Sequence, residues 1–274
     1  NGKIWPKENV EPRNYRLRLL NGCDSRFMVL RFRKADSLNS TDLSGAGTPL
    51  TFWVIGSDQG LAASATPVTE LLFEPGARYD IIVDFDGLDD ERVIMENIGW
   101  DAPFGGAWGR THPEAELFPD SQTDLIMAFD VIKEFGYDDP NGDHDDSFDP
   151  DTWTGPYTYD DSDTGLPVRR VALFEGMDEY GRLQPLLGVA EHTNDAEGDS
   201  VNGTIAWHSP TTERPTEGST EIWEVYNATG DAHPIHLHLV NFTILDRQEF
   251  NANVEDQPVL QHNGETGTGY HFAP

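Results

Sequence analysis

RNYRLRLLNGCDSRFMVLRFR, residues 13–33, decides the fold class. Tyr15, Leu17 and Leu19 alternate with Arg16 and Arg18, the period of a strand with one apolar and one polar face. A turn signal at Asn21-Gly22 separates this run from a second alternating one that ends near Arg33. Working outward, the same reading predicts strands at 52–56, 70–73, 79–85, 93–97 and 124–131. After a break it predicts more at 169–175, 203–207, 220–227 and 235–246. No helix-period stretch is long enough to suggest a parallel α/β sheet. With 26 Gly and 18 Pro for turns, the pattern is that of an all-β chain of sandwiches or Greek-key barrels.

The break is residues 136–165, which hold ten Asp and no Lys or Arg. Such a stretch has little apolar area to bury, so it is expected to run over the surface as an acidic linker. It divides the chain into a domain at 1–135, the linker, and a domain at 166–274. The second region shows four or five strand signals against the roughly seven of a full sandwich, so it is expected to be incomplete. Within the linker, Asp139, Asn141, Asp143 and Asp145 stand at alternate positions, as in calcium loops. However, Gly142 is out of register and no closing Glu follows, which favours a solvated linker.

Charge narrows the partners. Forty-nine acidic residues face 18 basic ones, a formal net charge of −31, and such a surface repels nucleic-acid phosphates. An acidic surface serves equally for solubility or for life in salty water. No run of 18 apolar residues offers a membrane span, and residues 1–12 do not resemble a signal peptide. The one cysteine, Cys23, has no histidine neighbours and reads as a small residue at a strand end.

The chemistry concentrates in His233-Pro-Ile-His236-Leu-His238. In an extended strand, His236 and His238 project to the same side and can serve two metals close together. Pro234 marks the strand's beginning, so His233 can turn toward a different site. Imidazole is the usual nitrogen ligand of copper and zinc. A structural zinc site would normally add Cys partners or a fourth nearby ligand, and neither stands close in sequence. His112, His144, His192, His208, His262 and His271 are scattered and read as surface or hydrogen-bonding residues.

Residues 219–250, STEIWEVYNATGDAHPIHLHLVNFTILDRQEF, closely resemble the start of the copper-binding third domain of multicopper oxidases. NGKIWPKENVEPRNYRLRLLNG (1–22), VIGSDQGL (54–61) and EPGARYDIIVDF (74–85) resemble their second domain. GMDEYGRLQPLLG (176–188) and WHSPTTERPTEGSTEIW (207–223) are similar to the spore-coat laccase and bilirubin oxidase group. The resemblance implies cupredoxin-like Greek-key β-sandwiches and three ligand roles: His233 on a type 1 copper, His236 on the type 2 copper, His238 on one of the type 3 pair. It also implies one-electron oxidation of a phenolic, other small aromatic or metal-ion reductant, coupled to four-electron reduction of O2 to water. An extracellular, periplasmic or cell-surface location goes with it.

The sequence departs from the family in its ligand count. The family uses two further His-x-His pairs from its first domain and a His-Cys-His stretch near its C-terminus. His236-Leu-His238 is the single His-x-His pair here, and no cysteine follows His233. First-domain and C-terminal segments, in the same or another chain, are therefore expected to supply the rest, and these 274 residues alone are expected to be inactive. Relatives also carry a cysteine in the loop matching 99–119, where this chain has none. Trp100, Phe104 and Trp108 in that loop read either as an aromatic lid or as packing against a neighbouring domain. Two other readings compete: a non-catalytic cupredoxin-like metal-binding or structural module, and a zinc hydrolase, which lacks a three-ligand set with a general base.

Overall fold

The computed structural model describes residues 2–106, 123–136, 147–156 and 165–273. Trp108, His112, His144 and the Asp139, Asn141, Asp143, Asp145 series lie outside the described residues. Among the described residues the regular structure is all strand, and no helix is long and apolar enough to cross a membrane. The chain divides into two compact units: residues 1–158 with 234–241, and residues 159–233 with 242–274.

The first unit stacks two sheets. Strands β1 (Lys7–Val10), β2 (Asn14–Leu20), β3 (Met28–Lys34), β4 (Phe52–Ser57), β5 (Gly60–Val68), β6 (Leu71–Phe73), β7 (Arg78–Asp84), β8 (Arg92–Asn97) and β9 (Leu125–Val131) belong to it. One sheet runs β1-β9-β8-β3-β6 and the other β2-β7-β4-β5. The two runs of residues 13–33 therefore enter different sheets rather than forming a hairpin: β2 pairs β7, while β3 pairs β8 and β6. Asn21 makes that crossing. Its buried amide donates to Phe73 O (2.8 Å) and Arg26 O (3.0 Å) and accepts from Cys23 N (2.9 Å). A side chain that satisfies three backbone groups fixes the corner where ladder bonds end.

The inward residues of both sheets close one core around Phe32, Phe52, Phe85 and Phe129. Phe32 is fully buried, edge-on to Phe52 at 5.0 Å between ring centroids. Burying each such ring stabilises the unit by about 1.5–3 kcal/mol through area alone. One charge cluster lies within this apolar setting. Asp130 on β9 accepts from Arg92 Nε (2.6 Å) and Nη2 (2.9 Å) and from Lys7 Nζ (2.6 Å), tying β1, β8 and β9 together. Burial pushes the Asp130 carboxyl up, but the hydrogen bonds and charges of Arg92 and Lys7 outweigh it and hold it below the ordinary carboxylate range.

Two loop expectations take definite form. Phe104 stacks on Phe27 (4.8 Å between centroids, 24° between planes), so this aromatic packs within its own unit. Residues 147–156 of the acidic stretch dock on the edge strand β5: Thr154 bridges Ser64, and Gly155 N donates to Ala63 O (3.2 Å). Phe148 meets Trp53 edge-on at 5.6 Å. An edge strand offers unpaired backbone groups, and this short segment covers part of that edge.

The second unit is built on one six-stranded sheet, more strands than the four or five expected. Its strands are β10 (Val168–Met177), β11 (Leu183–Asn194), β12 (Ser200–Thr204), β13 (Ile222–Asn227), β14 (Val254–Leu260) and β15 (Thr266–Phe272). The order is β12-β11-β10-β15-β14, with β13 running parallel to β10 from Val168↔Ile222 to Leu173↔Asn227. Ala172, Phe174, Val189 and Val259 are buried, and Phe174 packs on Phe272 at 5.4 Å. Gly203 has φ +69, and a Cβ there would strike Tyr270 O and His271, so glycine is required.

The strand expected at 235–246 is not formed. Residues 234–253 contain no strand, and Leu239 takes φ +72, which interrupts any extended run. Apolar alternation there is real in the sequence, but Leu239, Val240, Ile244 and Leu245 are exposed and no neighbouring strand pairs with them. A strand is stabilised by its partners, and without pairing the local pattern does not decide the conformation.

Candidate metal centre

His233 is placed by the parallel pairing of β13 with β10. That ladder ends at Leu173↔Asn227, and Ala228 N continues it to Leu173 O (3.0 Å). The chain then turns through residues 227–231 on a net of side-chain bonds. Asn227 Nδ2 donates to Asp231 O (2.7 Å), while Asn227 Oδ1 accepts from Thr229 N (3.1 Å) and Thr229 Oγ1 (2.7 Å). Short polar side chains are suited to such turns because they replace missing ladder bonds. The turn carries His233 back so that its Nε2 lies 2.8 Å from Thr229 Oγ1 and 3.5 Å from Glu175 Oε1 on β10. The ring is about three-quarters buried.

His236 and His238 belong to the segment grouped with the first unit. They do not project from a strand, yet their rings lie side by side, 4.9 Å between centroids at 77°. His236 Nδ1 is 3.6 Å from Asp58 Oδ2, too long for a hydrogen bond. Asp58 sits in the two-residue turn joining β4 to β5 and accepts from Arg78 N (2.6 Å). Both imidazoles are exposed.

The structure thus brings His236 and His238 together. Sequence reading missed Asp58, Glu175, Asn227 and Thr229. The signal for the last two was present in Asn227-Ala-Thr229-Gly-Asp231, a polar alternation directly after a strand. Asp58 and Glu175 come from distant segments and have no local signal. Among the described residues, no group of three or more His, Cys, Asp or Glu side chains converges on one point. Cys23 is a free thiol in the first unit, bonded through its amide to Asn21. The donors fit copper in kind, since imidazole nitrogen suits it. In number, the two adjacent imidazoles of His236 and His238 are too few to complete a copper coordination shell.

Comparison with known proteins gives these donors their context. Residues 182–266 match the multicopper oxidase family model. A laccase of Bacillus subtilis is 33% identical over 265 residues, which is 96% of this chain and 42% of that protein. The chain is related to the multicopper oxidases. A bilirubin oxidase of Albifimbria verrucaria is 29% identical over 92% of this multicopper-oxidase-like chain and 37% of its own length. A laccase of Haloferax volcanii is 30% identical, over 90% and 36% respectively. The chain therefore spans less than half the length of these curated relatives. Among solved structures, the McoA multicopper oxidase of Aquifex aeolicus (2F4 variant) aligns over 98% of this chain and 51% of its own. The TM-score is 0.54 at 21% identity, which bears out the all-β, cupredoxin-like fold class.

Proposed function

We propose that this chain forms part of a copper-dependent oxidase of the laccase or bilirubin oxidase kind. It would hold His233 for the copper that receives electrons, and His236 and His238 for the copper cluster that reduces O2. The observation that carries the reading is the juxtaposed His236–His238 pair within a segment whose sequence is similar to a copper-binding domain. When bound, copper would supply one-electron acceptance from a phenolic, aromatic or metal-ion reductant and four-electron delivery to O2. The chain's own residues do the holding. Asp58 places its carboxylate 3.6 Å from His236 Nδ1. The turn at 227–231 and Glu175 orient His233.

Three imidazoles do not fill the sites of such an oxidase. We infer that further donors come from other segments, and that the 274 residues alone bind copper weakly and do not turn over. The test uses the copper-loaded protein that contains this chain, with a phenol as reductant and an oxygen electrode. Wild type should consume one O2 per four electrons and show intense visible absorption. His236→Ala and His238→Ala should lower bound copper and abolish O2 uptake, while His233→Ala should remove the visible band. Full O2 uptake in the His236→Ala, His238→Ala double variant would overturn the reading.

A further inference from the structure

We propose that Thr229 is a positioning residue that locks His233 in the tautomer protonated at Nε2, leaving Nδ1 as the only nitrogen that can accept a metal. The reasoning starts from backbone groups whose roles are fixed. Thr229 N–H can only donate, and it points at Asn227 Oδ1; Asp231 O can only accept, and Asn227 Nδ2 donates to it. These two bonds settle the orientation of the Asn227 amide. Asn227 Oδ1 is therefore an acceptor, and so is Asp231 O at 3.0 Å from Thr229 Oγ1.

A hydroxyl carries one proton and two lone pairs. With Asn227 Oδ1 at 2.7 Å, that proton is directed there or to Asp231 O. Asp231 N donates to one lone pair of Thr229 Oγ1 at 3.3 Å. The other lone pair faces His233 Nε2 at 2.8 Å, and only an Nε2–H can satisfy it. Glu175 Oε1, 3.5 Å from the same nitrogen, adds negative charge that disfavours a lone pair there. Both neighbours of Nε2 thus ask for a proton, and the metal-binding lone pair is left at Nδ1. The tautomer follows from this local network alone, whereas its use for copper rests on the function proposed above.

The test is long-range ¹H–¹⁵N correlation spectroscopy on the full chain labelled at histidine, at a pH where the ring is neutral, with Cu(I) as the metal probe. His233 should show a protonated Nε2 and an unprotonated Nδ1. Thr229→Ser, which keeps the hydroxyl, should retain that pattern, and Thr229→Val should convert it to a tautomer mixture. Adding Cu(I) should shift the Nδ1 resonance of His233. A wild-type ring protonated at Nδ1 would overturn the proposal even if Thr229→Val fails to fold. So would an unchanged pattern in a folded Thr229→Val chain, or a Cu(I) shift at Nε2. The predicted tautomer with no Cu(I) response at either nitrogen would still support the network, since this chain without its further donors is expected to bind copper weakly.

Discussion

Replacing Asp130 with Asn tests how much of the first unit's stability rests on a buried charge. Asp130 is 3% exposed and receives three charge-assisted hydrogen bonds. Its partners differ: the Arg92 side chain is 12% exposed, while Lys7 is 55% exposed. Solvent screens the Lys7 arm, which is worth about 0.2–1 kcal/mol. Breaking the Arg92 arm leaves a partly buried guanidinium without its counter-charge, at about 3–5 kcal/mol for such a pair. Lys7→Ala should therefore cost under about 1 kcal/mol and Asp130→Asn about 3–5 kcal/mol. Amide hydrogen exchange on β8 and β9 reads the first unit without interference from the second. The pH dependence has a definite sign. The folded carboxyl is held below its ordinary value, so its stabilisation is fully present above the unfolded value of about 3.9 and is lost as pH falls through the folded one. The gap between wild type and Asp130→Asn should be level near neutrality and narrow below about pH 4. Equal costs for Lys7→Ala and Asp130→Asn, or a gap that widens in acid, would refute this account.

Phe32→Ala removes a fully buried ring that packs on Phe52 and Phe129, and should cost about 3–5 kcal/mol in denaturant unfolding of the first unit. Gly155→Ala would drive a Cβ into Ala62 O, so the docked segment 147–156 should lose exchange protection, with a cost of about 1–3 kcal/mol.

The fold was legible where alternation and pairing agree. Tyr15, Leu17 and Leu19 face one way in the sequence, and β2 indeed pairs β7 residue for residue from Asn14↔Asp84 to Leu20↔Arg78. What alternation could not show was the sheet to which each strand goes. β2 and β3 are seven residues apart yet lie in opposite sheets, because the Asn21 amide stabilises a corner rather than a hairpin. β1, whose four residues are too short to show a period, was missed, as were β5, β11, β14 and β15. In these last four, Gly, Pro and Thr interrupt the apolar pattern, as in Gly60-Leu-Ala-Ala-Ser-Ala-Thr-Pro-Val68, and their partners supply the stabilisation. The reverse error, a strand expected at 235–246, has the same origin: the pattern is present and the partner is not.

The candidate site separates what spacing encodes from what it cannot. Histidine spacing names donors, because only imidazole at close intervals offers several neutral nitrogens to a metal. It does not say which nitrogen is offered. For His233 that choice is made by Thr229 and Glu175, the latter 58 positions away in sequence and brought near by the parallel β10–β13 ladder. For His236 and His238, the strand geometry that predicted a shared side is not what places them together, since the backbone there is irregular. A parallel pair has evenly spaced bonds and needs a long connection, so residues at its ends are held by segments far apart in the chain. The aim of His233 is therefore a property of the sheet. A variant that slips the β13 register should disturb the Thr229–His233 bond while leaving every histidine in its place in the sequence.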